Sequence, residues 1–212
     1  MNAQPVIYMI AGCNGAGKST LARVLLPDFL SVYALVNPDD IARGLNPLNP
    51  TNMAMKAGEI ALRQMDDYIE AGKSFAFETT ASGRVHLAKI RKAKARGYRV
   101  HLIYLFLTSP DIAVRRVAMR VHQGGHDVPE KDIVRRYYRG VQHVLEDYLP
   151  VVDSASFYIS RTQKNIQETK ERDEEIGRYL FAEKRGGGDL TIFQTNIWDL
   201  FIQQTQKERK KE

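Results

Sequence analysis

Cysteine is almost missing from this chain: Cys13 is the only one among 212 residues. No internal disulfide can form, and a reducing cytoplasm is the expected location. No apolar run approaches the roughly 18 residues that a membrane-spanning helix needs. The N-terminus lacks a basic segment followed by a cleavage site, and its apolar run Val6–Ala11 leads straight into a glycine loop, so it reads as a first strand and not as a signal peptide. Internal repeats and low-complexity linkers are absent too, which predicts one domain over 1–212. Neither an aromatic-interleaved basic motif nor a helix-turn-helix signature stands out. The net charge of +6 therefore argues for a site that holds several phosphates more than for a nucleic-acid surface.

What is present points to an α/β protein. Apolar β-rich runs alternate with helical patterns, the sign of a parallel sheet. Strands are expected over Val6–Ala11, Val32–Asn37, Ser74–Glu78, Val100–Leu107 and Ser156–Ser160. Helices are expected over Lys18–Leu26, Thr51–Ala71, Arg84–Arg96, Pro110–Val121, Lys131–Tyr148 and Ile166–Phe181, with a last helical signal at Asn196–Gln203. The fold class is a P-loop NTPase of the nucleoside-kinase kind: a parallel sheet of about five strands, flanking helices, an Arg-rich helical lid over about 115–140 and a helical tail over about 186–212.

The P-loop is the sharpest signal. Gly12-Cys13-Asn14-Gly15-Ala16-Gly17-Lys18-Ser19 matches G-x-x-x-x-G-K-[ST] without substitution, between a strand and an amphipathic helix. Glycines let backbone N–H groups curl round phosphates with no Cβ in the way, and the new helix points its positive end at them. Gly12, Asn14, Gly15, Ala16, Gly17, Lys18, Ser19 and Thr20 are thus the expected ATP- or GTP-binding residues. Lys18 reaches the β- and γ-phosphates, the Ser19 hydroxyl ligates Mg2+ and Thr20 holds the α-phosphate.

Three further stretches bear on what receives the phosphate. Asn37-Pro38-Asp39-Asp40 falls where a second strand ends, roughly twenty residues after the loop lysine, at the sheet edge where open α/β folds bind ligands. Either Asp39 or Asp40 could accept the proton of an attacking hydroxyl, or Asp39 could simply cap the next helix. Phe75-Ala76-Phe77-Glu78-Thr79-Thr80 is a buried strand ending in an acid and two hydroxyls. It resembles a Walker B strand, whose acid steadies magnesium, and Glu78 and Thr80 are candidates for binding substrate hydroxyls. Arg115–Val128 and Ile133–Arg139 place two arginine-rich helices around Gly124-Gly125, which predicts a mobile lid whose guanidinium groups stabilise transferring phosphate and exclude water.

In order and content, Gly12–Ser19, Asn37–Arg43, Phe77–Thr80, Gly97–Pro110 and the Arg120–Arg136 lid resemble the zeta-toxin family of P-loop kinases, above all its chromosomal members, which are often labelled predicted ABC-type ATPases. The resemblance covers about 5–160 and, more weakly, Gly186–Trp198. It implies a kinase that phosphorylates the 3′-hydroxyl of the amino sugar in UDP-N-acetylglucosamine, with Lys18 on phosphate, Ser19 on magnesium, Asp39 as general base, Glu78 at the substrate side, and Arg120 with Arg135 or Arg136 as lid arginines. Arg136 is the one adopted. Asn37 departs from the family's first aspartate in Asp-x-Asp. An inhibitory antitoxin partner is implied by the resemblance alone. Two other readings stand beside a small-molecule kinase: a polynucleotide or RNA-end kinase, and an ATP-hydrolysing switch of ABC-like type, although no Leu-Ser-Gly-Gly-Gln signature occurs.

Overall fold

A computed structural model of the chain describes residues 4–125, 127–160 and 178–209. Its frame is a seven-stranded sheet of order β2-β3-β1-β4-β5-β6-β7. The strands are β1 (Val6–Gly12), β2 (Leu35–Val36), β3 (Phe75–Thr79), β4 (Arg99–Phe106), β5 (Ser154–Ser160), β6 (Arg178–Lys184) and β7 (Leu190–Ile192). The first five run parallel, with β1 between β3 and β4. Near-continuous apolar sequence explains that centre: Ile7, Met9, Ile10, Phe75, Ala76, Val100, Leu102 and Leu105 are almost wholly buried, as strands covered by helices on both faces require.

Seven strands stand where about five were expected. The two extra ones are antiparallel and come from the C-terminal region, β6 on β5 and β7 on β6. Residues 178–181, expected to end the helix Ile166–Phe181, are extended instead, and the rest of that expected helix, 166–177, lies outside the described residues. The physical reason is the exposed edge of β5. Tyr179, Phe181 and Ala182 bury themselves there beside Ala155 and Phe157, and a short apolar run follows such a tertiary demand over its own periodicity. Strand β2 shrinks to two residues, paired with Ala76 and Phe77.

The helices are α1 (Lys18–Leu30), α2 (Pro38–Leu45), α3 (Ala54–Glu70, entered through a 3₁₀ turn Pro50–Met53), α4 (Val85–Ala95), α5 (Pro110–His122), α6 (Glu130–His143, continued by a π turn Val144–Tyr148) and α7 (Thr195–Arg209). Ser109 caps α5 by accepting from the Ile112 N–H, and Pro110 occupies the first turn, where its missing N–H costs nothing. An aromatic cluster seats α7: the Phe201 ring lies 5.1 Å from Phe106, 5.4 Å from Tyr104, 5.7 Å from Phe157 and 5.9 Å from Phe181. These contacts join β4, β5 and β6 to the C-terminal helix, which also packs on α6.

Helix α6 lies across the carboxyl edge of the sheet. Tyr137 donates its hydroxyl to the Leu107 carbonyl beyond β4 (2.7 Å), and Tyr148 donates to the Gly83 carbonyl beyond β3 (2.6 Å). Between them, His143 Nδ1 lies 3.2 Å from the Ala81 carbonyl. A Cβ on Gly140 would stand 2.6 Å from the Thr80 carbonyl oxygen. The loop beneath is itself constrained: Ala81 is fully buried at φ 54°, a conformation costly for a residue with a side chain. Its N–H donates to Thr79 Oγ1 at 3.0 Å.

Two predictions follow from this packing. Gly140→Ala should destabilise the protein by about 1–3 kcal/mol through overpacking, although alanine is intrinsically the better helix former. Gly58→Ala, where nothing lies within 4 Å of the added methyl, should stabilise by about 0.5–1 kcal/mol. Urea unfolding of both variants checks the pair, and equal effects would mean that Gly140 does not bear on the loop.

A third prediction concerns acid. Burial against Phe77 (ring centroids 4.8 Å apart) pushes the His86 imidazole from 6.5 down to about 4, with Lys89 adding to the effect. Unfolded chains take up that proton near pH 6.5, whereas the folded protein resists until about pH 4. Stability present above pH 6.5 should therefore be lost as pH falls to 4, by on the order of 3 kcal/mol. Replacing the ring by phenylalanine, His86→Phe, should flatten that part of a pH–stability curve; an unchanged curve would show that the site does not govern it.

Candidate active site

The loop between β1 and α1 is held open by its glycines and pressed from behind. Gly12 ends β1 so close to β4 that a Cβ would stand 2.5 Å from the Leu105 carbonyl oxygen. Gly17, at φ 84°, takes the left-handed conformation that starts α1. Helix α5 lies against the loop: a Cβ on Gly15 would meet the Ala113 carbonyl at 3.0 Å, and Arg116 Nη1 donates to the Gly15 carbonyl at 3.4 Å. Sequence reasoning passed over Arg116. Its signal is the four-residue spacing from Arg120, which sets both on one side of α5.

Within the loop, the Lys18 ammonium donates to the carbonyls of Gly12 (2.8 Å) and Cys13 (3.0 Å). Its pKa is lowered, first by desolvation and against the opposing pull of nearby Glu78 and Asp39. Burial likewise raises the Cys13 thiol to about 11, which keeps it protonated and unreactive at neutral pH. Ser19 donates its hydroxyl to Glu78 Oε2 at 2.8 Å. Burial raises the Glu78 pKa, with the Ser19 hydrogen bond and Lys18 opposing and Asp40 and Asp39 reinforcing. Glu78 Oε1 and Asn14 Oδ1 are buried without hydrogen-bond partners among the described residues.

That orphaned carboxylate oxygen beside a serine hydroxyl is a hard oxygen-donor pair that fits magnesium. Among the described residues no group of three or more His, Cys, Asp or Glu side chains could hold a metal ion alone. A magnesium ion here would draw its other ligands from phosphate and water, as that ion commonly does.

The acidic pair after β2 divides by position in α2. Asn37, buried and extended, is the cap: its Oδ1 accepts from the Asp39 N–H at 2.9 Å. The departure from the family pattern is therefore a helix cap, and Asp39 is not one. Asp40 forms an ion pair with Arg43 on the exposed side. Asp39 lines a cleft of about 540 Å³ together with Ser19, Thr20, Arg23, Arg43 and Arg120. Pro38, Pro47, Leu48 and Pro50 give that cleft an apolar wall. Neither Arg23 nor Arg43 was given a role from the sequence; Arg43 stands one helical turn beyond Asp39 in α2, its Nε donating to the Asp39 carbonyl at 3.4 Å, whereas only the fold brings Arg23 to the cleft.

The lid arginines separate as well. Arg120 stands in the last turn of α5, and the Gly124-Gly125 turn folds back on it: the Gly125 N–H donates to the Arg120 carbonyl at 2.9 Å, and a Cβ on Gly125 would meet Arg120 Cγ at 2.5 Å. Arg135 pairs with Asp132 at 2.8 Å on the exposed side. Arg136 is half-buried on α6 and, like Thr80, does not line the cleft. Thr80 Oγ1 instead lies 2.8 Å from Ser82 Oγ in the loop after β3.

The frame and this loop have known counterparts. A family model described as Zeta toxin matches residues 1–167. An uncharacterized protein of Haemophilus influenzae is 36% identical over 138 residues, which are 65% of this chain and 94% of that protein. Among solved structures, a chain of the AvrRxo1-ORF1:AvrRxo1-ORF2 complex with ATP superposes with a TM-score of 0.68 at 16% identity, over 93% of this chain and 63% of that one. This chain thus spans less than two thirds of its length. A chain of the PezAT chromosomal toxin-antitoxin system of Streptococcus pneumoniae gives 0.57 at 14% identity, over 97% of this chain and 88% of that one. At such identities the two structures speak to the fold, which is the P-loop kinase arrangement of a mostly parallel sheet between helices. The family model covers most of the sequence, the phosphate loop, the acidic segment and helices α5 and α6 included, and on that match the chain belongs to the zeta toxin family.

Proposed function

We propose that this protein is a kinase that transfers the γ-phosphate of ATP to a hydroxyl of a small acceptor, with UDP-N-acetylglucosamine the first acceptor to try. The observation that carries the reading is the cleft in which Asp39, Ser19, Thr20 and Arg120 meet beside the phosphate loop. Family membership supports the reaction class, and the ATP in a similar structure supports the nucleotide. GTP remains an equal fit for the loop, which reads phosphates and not the base.

In this mechanism the loop amides and Lys18 hold the β- and γ-phosphates. Asp39 takes the acceptor hydroxyl's proton as that oxygen forms its bond to the γ-phosphorus and the bond to the β,γ-bridging oxygen breaks, leaving ADP. Arg120 meets the charge spread over the transferring group, and Arg136 joins it when the lid closes. Bound to Ser19 and Glu78, magnesium would supply neutralising charge at the phosphates. Positioning and electrostatics of this kind are most of what phosphoryl transfer asks of a protein.

The whole chain is read as one catalytic unit acting in the cytoplasm. Among the described residues no helix is long and apolar enough to cross a membrane. An antitoxin partner is part of the proposal, because the PezAT relative comes from a toxin-antitoxin system.

Purified protein with labelled ATP, magnesium and a panel of sugar nucleotides, sugars, nucleosides and RNA 5′-hydroxyl ends tests the reading. Lys18→Ala should abolish ATP binding and transfer together. Asp39→Asn should leave ATP affinity within about threefold and cut transfer by about 10²–10⁴-fold, the usual worth of a general base. Full-rate ATP hydrolysis without any acceptor would favour a switch instead, and normal transfer by Asp39→Asn would remove that residue from the chemistry.

A further inference from the structure

The turn after α5 holds two glycines, and the turn itself explains only the first. Gly124 takes φ 82°, and the helix closes with the two bonds of a Schellman end: the Gly124 N–H donates to the Val121 carbonyl at 2.9 Å, and the Gly125 N–H to the Arg120 carbonyl at 2.9 Å. Gly125 takes no left-handed angle. It stands two residues beyond the cap Gln123, where such ends commonly place an apolar side chain against the residue three before the cap. That residue here is Arg120. We infer that Gly125 is a positioning residue: bare of a side chain, it lets the turn close on the Arg120 stem and so aims the guanidinium at the transferring phosphoryl group; the inference rests on the kinase reading above.

Contact is the first argument. A Cβ at position 125 would stand 2.5 Å from Arg120 Cγ and 3.1 Å from its Cδ. Alanine is shut out unless the arginine stem swings away. A Cβ on Gly124 would meet nothing within 4 Å, so the turn is tight only where it faces that stem. The closure leaves Arg120 Nε buried, although the neighbouring His122 and Gln123 are exposed. An arginine side chain otherwise carries about 2 kcal/mol of rotamer entropy, and ordering it beforehand lowers the cost of gripping a phosphate.

The seat of the helix is the second. Helix α5 is fixed against the phosphate loop one and two turns before Arg120. The Ala113 carbonyl and Arg116 Cβ lie so near Gly15 that a Cβ there would meet them at 3.0 and 3.1 Å, and Arg116 Nη1 donates to the Gly15 carbonyl at 3.4 Å. Ala113 and Val117 are buried on the same helix. With the backbone seated in this way, the direction of the Arg120 side chain is what remains to be set, and Gly125 meets that side chain at Cγ and Cδ.

Destination is the third. Arg120, Gly124 and Gly125 line the same cleft as Ser19, Thr20 and Asp39. The Arg120 charge is felt at the phosphate loop as well: burial lowers the Lys18 pKa, and Arg120 adds to the effect. Two cations held that near each other are reconciled by an anion between them. The chain leaving the turn is anchored in its own right, since Val128 is buried in the core. The stem of Arg120 is therefore backed by a turn that is held at both ends.

Calorimetric titration with MgADP and with the magnesium complex of the imido analogue of ATP is the test, and it involves neither turnover nor an acceptor. The wild type should bind the triphosphate analogue more tightly than MgADP. Gly125→Ala should keep MgADP affinity within about threefold and weaken the analogue by about tenfold or more, as the loss of a charge-assisted hydrogen bond does. Arg120→Ala should show the same split. The double variant should bind like Arg120→Ala alone, because both changes remove one contact. A wild type without preference for the triphosphate, a Gly125→Ala variant that loses both affinities together, or losses that multiply in the double variant overturn the inference. Should Gly125→Ala not fold, nitrogen-15 NMR of the nucleotide-free wild type decides. The Arg120 Nε–H, assigned by its loss in Arg120→Ala, should be ordered and slow to exchange, and a signal as mobile as those of exposed arginines overturns the inference. The expected split beside a failed transfer assay would sink the kinase reading alone, and normal transfer without the split would sink this inference alone.

Discussion

Helix α6 rests on a bare peptide carbonyl. With no side chain at Gly140, its backbone can settle on the Thr80 oxygen, and much else is placed by that one approach. It sets the height of Arg136 and Arg139 above the sheet edge. It also pins the loop that begins at Glu78, whose carboxylate reaches across to Ser19 at the start of α1. Phosphate loop, β3 acid and α6 are therefore tied together, by the Ser19–Glu78 hydrogen bond and by the close approach of Gly140 to Thr80. The Phe201 cluster stands behind them and ties α7 to the strands on which α6 lies.

Electrostatics give the site its bias. Lys18 is depressed by burial even though Glu78 and Asp39 pull the other way, and Glu78 is raised by burial even though Lys18 and Ser19 pull the other way. In both groups desolvation outweighs the partner. Charges held like that, in a loop of inward-facing amides, are incompletely satisfied by the protein itself. A polyanion with its counter-ion would supply what is missing, and the orphaned Glu78 oxygen says where.

Legibility in the sequence followed the distance over which each feature is determined. The phosphate loop was readable because eight consecutive residues fix their own geometry. The central strands were readable because burial on both faces leaves a continuous apolar run. Between Asp39 and Asp40 the residue types alone left the choice open and the family resemblance favoured Asp39; in the fold Asn37 is the cap, Asp39 lines the cleft and Asp40 pairs with Arg43. The terminal strands were misjudged because β6 answers to the open side of β5, a demand invisible within the segment itself. Arg23 was invisible for the same reason, since it meets Asp39 only once α1 and α2 have packed round the cleft, whereas the spacing of Arg116 from Arg120 was there to be read.

The sheet's two rims are its least developed strands. At one side β2 contributes two residues, and at the other β7 contributes three. A long, flat rim is an invitation to any passing chain, because its unpaired amides and carbonyls form a ready template for another strand. Here the wide, sticky centre of the sheet is enclosed between margins too short to serve as such a template. The protein can therefore carry a continuous apolar interior without its sheet growing from one molecule into the next.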